Sequence, residues 1–361
     1  MKKTDIAIIG GGPAGLSAAI SAASLGAKVI VIDEGLELGG QLIKQTHKFF
    51  GSEKQFAGIR GIDIAKKMIR EIENSTNIEA MVNSTATGYY EDDVVTVVEG
   101  SNGDILKKIK ADRVIIATGA SENMLSFINN DLPGVYGAGA VQTLMNLYGV
   151  IPGNHVLMVG AGNIGLIVSY QLLQAGIQVE AIVEALPRIG GYLVHASKVK
   201  RMSIPIYTSH TIKDVYGEDC VEKAVICEID KNFEFIEGKE KELNVDTICL
   251  AVGLSPLTDL LWQAGCQMKY IPELCGYVAL RDDNLRTTKK NIYIAGDVTG
   301  IEEASSAMVE GQIAGLNAAV SLGLPCPDYH ERNSKLKVVL NELRNNEICE
   351  KISKGIEKVM L

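Results

Sequence analysis

Two glycine-rich loops hold the residues whose spacing points most directly to chemistry. Gly10, Gly12 and Gly15 follow the pattern G-x-G-x-x-G, and so do Gly160, Gly162 and Gly165. An apolar run precedes each loop, Ile6 to Ile9 and Val156 to Val159, and a helix-forming segment follows it. This context predicts a strand, a tight turn and a helix. The first glycine makes the turn, the second lets the backbone approach a pyrophosphate, and the third permits close packing of helix on strand. The helix N-terminus then presents N–H groups and partial positive charge to the phosphates. Pro13-Ala14 and Asn163-Ile164, between the second and third glycines, belong to the same two cradles. An acid follows each loop after about 20 residues: Asp33 and Glu34 in the first, Glu184 in the second. Such acids accept hydrogen bonds from a free ribose 2′-hydroxyl and repel a 2′-phosphate. Glu184 therefore favours NAD(H) over NADP(H), although Arg188 lies four residues on.

The elements that must position these loops form an internal repeat. At a gapless offset of 150, Gly10, Gly12, Gly15, Gly26, Glu34 and Gly40 fall on Gly160, Gly162, Gly165, Gly176, Glu184 and Gly190. Each copy reads strand, glycine turn, helix, second strand, which makes two βαβ units. Between them, residues 78–98 are strand-rich, 112–118 read as a short buried strand ending at Gly119, and 132–153 read as a crossover. Residues 210–250 alternate as strands do, 291–295 form another, and a helix is expected near 303–320. Beyond the hinge at 322–327, Leu336, Leu340, Leu343 and then Ile348, Ile352, Ile356 keep helical spacing.

Composition bounds the rest. The 361 residues suggest two domains at about 150 residues each. The net charge of −9 argues against nucleic acid or an anionic membrane as the main partner, and an aromatic content of 5% disfavours a base-stacking platform. Seven cysteines without any Cys-x-x-Cys exclude a local redox dithiol, zinc ribbon or ferredoxin-type cluster. They read as buried, reduced thiols of a cytoplasmic protein. The apolar run after Met1 is too short for a secretory signal, and no stretch approaches a membrane span.

With Gly39-Gly40-Gln41-Leu42, Ala117-Thr118-Gly119, Ala251-Val252-Gly253 and Ala295-Gly296-Asp297 added in order, the chain resembles the two-dinucleotide-binding-domain flavoproteins of the pyridine nucleotide–disulfide oxidoreductase superfamily over roughly residues 4–322. The resemblance implies an α/β fold with two Rossmann-like, three-layer ββα-type domains. A discontinuous FAD domain (1–130 and 275–325) would enclose an NAD(H) or adenine-nucleotide domain (131–274), with a helical tail at 326–361. It implies that Gly10, Gly12 and Gly15 hold the FAD pyrophosphate and Asp33 the adenosine ribose. Gly40, Gln41, Thr118 and Gly119 would line FAD, Ala86 would meet the adenine through its backbone, and Gly253 would be a further cofactor-binding residue. Asp297 would take a ribityl hydroxyl, and the helix after it would aim its N-terminus at the flavin, where reduced flavin's negative charge is stabilised.

Three departures narrow the resemblance. Gln41-Leu42 stands where a cysteine pair would be, so a disulfide reductase is disfavoured. There is no room for the large dimerisation domain of the glutathione-reductase branch. Glu184 lies one place later than the family's acid, whose slot is Val183. The segments 45–51 and 183–192 further resemble α subunits of amine and amino-acid dehydrogenases of the sarcosine, opine, proline and hydrogen-cyanide-forming types, without their cysteine-rich cluster segment. The expected function is an FAD-dependent, NAD(H)-linked oxidoreductase exchanging hydride between nicotinamide and flavin. The alternatives are an accessory subunit whose amine or amino-acid substrate is oxidised on a second flavoprotein chain, and a non-catalytic nucleotide-binding scaffold. Oligomerisation is expected, no metal is, and no catalytic side chain is assigned. His47 reads as structural, His195 as a surface or hinge residue, Cys249 as core and Trp262 as packing.

Overall fold

The computed structural model describes residues 1–49, 53–100, 102–103, 105–345 and 349–361. Its helices are α1 (Pro13–Ala23), α2 (Gly61–Glu73), α3 (Ala138–Asn146), α4 (Asn163–Gln174), α5 (Leu193–Arg201), α6 (Asp259–Gln263), α7 (Ala304–Ser321), α8 (Tyr329–Arg344) and α9 (Glu350–Glu357). The chain folds as two compact units, Met1–Ser121 with Ser255–Leu361, and Glu122–Leu254. The breaks expected near 130 and 275 fall instead at 121/122 and 254/255. Residues 255–274, with α6, lie in the outer unit, and so do the tail helices α8 and α9.

In the outer unit, parallel strands run in the order Ile78–Met81, Val29–Ile32, Lys2–Ile9, Ile105–Ile116, and Ile292–Ile294 pairs with the end of Ile105–Ile116. Strands Ser84–Tyr89 and Val94–Glu99 continue the sheet antiparallel along the first half of Ile105–Ile116. That strand begins at Ile105, well before the expected Asp112, because its first half serves this antiparallel extension. Alternate residues of the parallel strands serve two separate cores. Ile6, Ile8, Val29, Val31 and Ile115 pack with α1, α2 and α7, whereas Ala7, Ile9, Ile30, Ile32, Val114 and Ile116 pack with Tyr89, Val95, Val97 and α6. Burial on both faces is why these strands read as unbroken apolar runs. Each fully buried isoleucine contributes roughly 1.5–3 kcal/mol of transfer free energy.

Helices α1 and α7 meet backbone to backbone. A Cβ on Gly311 would stand 2.1 Å from the Ala14 carbonyl oxygen, and Ser21 Oγ donates to the Gln312 carbonyl (2.9 Å). The close approach needs glycine, and it fixes α7 beside the first glycine loop. Helix α8 lies against α7 through a buried polar ladder: Tyr329 Oη donates to Asn317 Oδ1 (2.8 Å) and Asn317 Nδ2 to Asn333 Oδ1 (3.1 Å). The tail thus packs on its own body; Ile348 of its apolar pattern lies outside the described residues.

The inserted unit repeats the plan. Its parallel sheet runs Ile206–Thr208, Gln178–Glu184, His155–Val159, Thr247–Leu250, Val135–Gly137. Helices α3, α4 and α5 cover one face, and the antiparallel strands His210–Tyr216, Lys223–Ile229 and Phe235–Asn244 supply the core residues of the other. The segment 132–153, expected as a crossover, forms the edge strand Val135–Gly137 and α3 of this unit. Strand Gln178–Glu184 carries a register shift between Val179 and Ala181, so Glu180 is an extra, bulged residue.

Candidate functional site: two glycine cradles

Gly10, Asp33, Thr118-Gly119 and Gly296-Asp297 of the outer unit follow the C-terminal ends of its parallel strands, whereas Ala86 lies on the antiparallel extension. Gly10 (φ +104°) follows Lys2–Ile9, and a Cβ there would stand 2.1 Å from the Ala117 carbonyl oxygen. A Cβ on Gly15 would stand 1.8 Å from the Gly10 carbonyl oxygen, so the third glycine seats α1 on its strand. Gly12 differs: the nearest atom to its Cβ position is Gly40 Cα at 4.0 Å. Among the described residues no side chain caps α1, and Pro13 occupies its first turn. The Gly39 N–H donates to the Gly11 carbonyl (2.8 Å), which holds the Gly39-Gly40 turn against the loop, with Gln41 exposed beside it. Open space, a helix N-terminus without a side-chain cap and a facing backbone wall are what a pyrophosphate needs.

Asp33 braces this cradle. Its Oδ2 accepts from the Gly11 N–H (2.5 Å) and its Oδ1 from the Gly35 N–H (2.8 Å), while Glu34 is exposed. Thr118 Oγ1 donates to the Leu257 carbonyl (2.7 Å), and Gly119 (φ +74°) follows it with open space around its Cβ position. Ala86 is half-buried on the antiparallel extension, opposite Val97. Gly296 packs on α1, its Cβ position 2.8 Å from Ala14 Cβ, and Asp297 follows in the turn that leads to α7.

The inserted unit holds a second cradle. A Cβ on Gly160 (φ +109°) would stand 2.2 Å from the Ala251 carbonyl oxygen, and one on Gly165 2.1 Å from that of Gly160. Nothing lies within 4 Å of the Cβ position of Gly162. Glu184 Oε2 accepts from the Ala161 N–H (2.8 Å) and Oε1 from the Leu186 N–H (3.0 Å). Asn163 Oδ1 accepts from the Tyr192 N–H (2.8 Å), and Ile164 is exposed at the mouth. Gly253 is exposed, its carbonyl accepting from the Asn123 N–H (3.0 Å).

These bonds correct the gapless repeat. Glu184 grips the residue after the first glycine and the residue two places on, as Asp33 does, so its counterpart is Asp33 and not Glu34. Val159 pairs with Val183 as Ile9 pairs with Ile32, and the bulge at Glu180 absorbs the extra residue. Further on, the Gly191 N–H donates to the Ala161 carbonyl (3.0 Å) as Gly39 does to Gly11, so Gly190 is not the partner of Gly40.

Sequence reasoning missed a buried charge cluster behind Asp297. Glu310 Oε2 accepts from the Gly296 N–H (2.9 Å) and from Thr299 Oγ1 (3.0 Å). Its Oε1 meets an Arg344 terminal nitrogen at 2.7 Å and an Arg281 terminal nitrogen at 3.5 Å. Arg344 also clasps Glu302 with two bonds, 2.5 and 2.9 Å. Burial pushes the Glu310 carboxyl up, but Arg281 and Arg344 hold it below the ordinary carboxylate range. Asp297 has no such cation in reach among the described residues. Burial, with added charge from Glu310, Glu302 and Glu303, raises its pKa to about 7, against one lowering bond from the Glu302 N–H (3.4 Å). The available signal was Glu310 itself, the lone charged residue of α7.

His195 is buried on α5, and burial followed by the Lys198 charge lowers its pKa. Trp262 is half-exposed, edge-on to Tyr277 at 5.4 Å. Cys249 lies in the core as expected, whereas Cys220 and Cys275 are exposed; all seven cysteines are free. His47 stacks on Phe49 at 5.9 Å; Phe50 and Gly51 of the same segment lie outside the described residues. Among the described residues no cluster of three or more His, Cys, Asp or Glu could hold a metal ion, and no helix is long and apolar enough to cross a membrane.

Two three-layer units, each with an open glycine cradle braced by a strand-end carboxylate, define a double dinucleotide-fold protein. Residues 4–311 match the pyridine nucleotide-disulphide oxidoreductase family, and the chain belongs to this family of flavin-dependent oxidoreductases. It is 28% identical over 340 residues to the alpha subunit of sarcosine oxidase from Rhizobium meliloti (strain 1021), covering 90% of this chain and 31% of that one. It is 28% identical over 338 residues to an opine oxidase subunit of Agrobacterium tumefaciens (strain Ach5), covering 89% and 66%. Among solved structures, L-proline dehydrogenase from P. horikoshii superposes with a TM-score of 0.68 at 25% identity, over 92% of this chain and 59% of that one. The chain thus spans from about a third to about two thirds of the length of these relatives.

Proposed function

We propose that the outer unit binds FAD, that the inserted unit binds NAD(H) or another adenine nucleotide, and that the protein exchanges hydride between nicotinamide and flavin without a redox disulfide. The observation that carries this reading is the duplicated cradle, in which Gly12 and Gly162 are the open positions and Asp33 and Glu184 the matching braces. In it, Gly10, Gly12, Pro13, Ala14 and Gly15 take the FAD pyrophosphate, Gly160, Gly162, Asn163, Ile164 and Gly165 that of the second nucleotide, and Asp297 a ribityl hydroxyl. Asp33 and Glu184 use both carboxylate oxygens on backbone N–H groups, yet each oxygen keeps a lone pair for a ribose hydroxyl. Bound FAD would supply the hydride-accepting ring; the chain's own residues orient it and exclude water.

A second reading makes this chain the accessory component of a heteromeric amine or amino-acid oxidising enzyme. The names of its relatives, which are subunits of sarcosine oxidase and of opine oxidase, favour it. Anaerobic mixing of the flavin-loaded protein with NADH or NADPH separates the two. Bleaching of the flavin band that is faster with NADH, and lost in Gly162→Ala while FAD stays bound, supports the first reading. Absence of bleaching in a protein that still binds adenine nucleotides eliminates it and leaves the accessory and scaffold readings, which adding a partner chain and an amine separates.

A further inference from the structure

Among the described residues, helix α8 carries the one cation that touches both buried glutamates around the Gly296-Asp297 turn. Arg344, Glu302 and Glu310 have side chains 9%, 6% and 2% exposed. From Arg344 two routes lead to the turn. One runs through Glu310 to the Gly296 N–H and Thr299 Oγ1, the other through Glu302, whose main-chain N–H donates to Asp297 Oδ1. Arg281 brings a second guanidinium to the two glutamates, with the Asp297 carboxyl beside them. Its contact with Glu310 is the long one at 3.5 Å, and its Nε has no acceptor among the described residues. The C-terminus holds Arg281 in place: its N–H donates to the Val359 carbonyl (3.0 Å), and its carbonyl accepts from the Leu361 N–H (3.0 Å).

A clamp that only fastened α8 to α7 would gain as much from apolar residues, because burying ions carries a large desolvation penalty. The neighbouring Tyr329–Asn317–Asn333 ladder already fastens the two helices without charge. What the ionic set adds is a fixed turn and a fixed local field, at the place where a helix N-terminus and a carboxyl lie together.

We propose that Arg344 is a positioning residue of the flavin site, through which the C-terminal segment fixes the Gly296-Asp297 turn and sets the electrostatic field on a flavin held there. This rests on FAD binding by the outer unit. Loss of Arg344 leaves one uncompensated negative charge beside the turn, and loss of the Glu302 charge leaves one uncompensated positive charge. The two changes must therefore move a bound flavin's potential in opposite directions, although both weaken the same clamp.

The test is spectroelectrochemical titration of full-length protein, with FAD affinity read from flavin fluorescence and unfolding followed in parallel. Arg344→Gln is expected to make the midpoint potential more negative and to weaken FAD binding by about tenfold or more. Glu302→Gln is expected to make the potential more positive, and Arg344→Lys to restore most of the potential without the bidentate grip. Lys358→Ala breaks a different tail-to-body ion pair, with Glu273 at 2.5 Å, and is expected to leave the potential unchanged. Should Arg344→Gln fail to fold, Glu302→Gln still carries the sign test: a shift to a more negative potential in that variant, or no shift, overturns the proposal. Equal potentials in all variants, or shifts of one sign in Arg344→Gln and Glu302→Gln, overturn the proposal while FAD binding stands. A wild-type chain that binds no FAD overturns both.

Discussion

Asp297 is a carboxyl with negative neighbours and, among the described residues, no cation against it, and this gives it a measurable signature. Its folded pKa of about 7 lies above the ordinary 3.8, so between these values the native protein retains a proton that the unfolded chain has lost. Stability must therefore fall as pH rises through that window and level off above it. Glu310 works in the opposite sense, since its depressed pKa gives stability that is lost in acid. The contribution of Asp297 is isolated by comparison with Asp297→Asn. In protein freed of flavin, the variant is expected to gain on the wild type from pH 5 to pH 8, by on the order of 2 kcal/mol. Chemical denaturation across that range measures it. A constant difference between the two proteins would mean that Asp297 ionises normally.

At the scale of elements, the sequence made the strand–loop–helix units legible because glycine spacing and doubly buried apolar runs are local signals. Gly10, Gly15, Gly160 and Gly165 occupy the contacts their spacing predicted. What escaped was non-local. The bulge at Glu180 leaves no mark on composition, so a gapless comparison set Glu184 against Glu34 and displaced the acid by one place. The pairing of Glu310 with Arg344 spans 34 residues and two helices, and no periodicity announces it. The bulge also makes a prediction. Because Val183 keeps the register that Ile32 has in the first unit, Glu180 is surplus to the position of Glu184. Beyond the backbone, its deletion removes an exposed pair with His155, of the kind worth about 0–1 kcal/mol. Deleting Glu180 is expected to lower stability by less than about 1.5 kcal/mol and, on the proposed reading of the inserted unit as an NADH site, to leave NADH affinity within a few-fold. Thermal unfolding and NADH fluorescence titration check both. Loss of NADH binding in a folded variant would show that the bulge itself aims Glu184.

For the whole molecule, the decisive feature is that, among the described residues, each unit builds cores of its own. The clusters around Val156, Met158 and Leu166 and around Leu157, Ile226 and Leu250 draw only on residues within 122–254. The outer unit builds its own from the two ends of the chain. A unit that buries both faces of its sheet with its own residues meets the requirement for folding alone. Residues 122–254, expressed by themselves, are therefore expected to unfold in one cooperative transition and to bind an adenine nucleotide without FAD. Glu184→Ala in this fragment should weaken that binding, because it frees the Ala161 and Leu186 N–H groups that the carboxylate holds. Calorimetric unfolding and nucleotide titration of the fragment test this directly. A fragment that folds but binds no nucleotide would mean that the second cradle is a structural duplicate, and would remove the NAD(H) site on which the hydride-exchange reading depends.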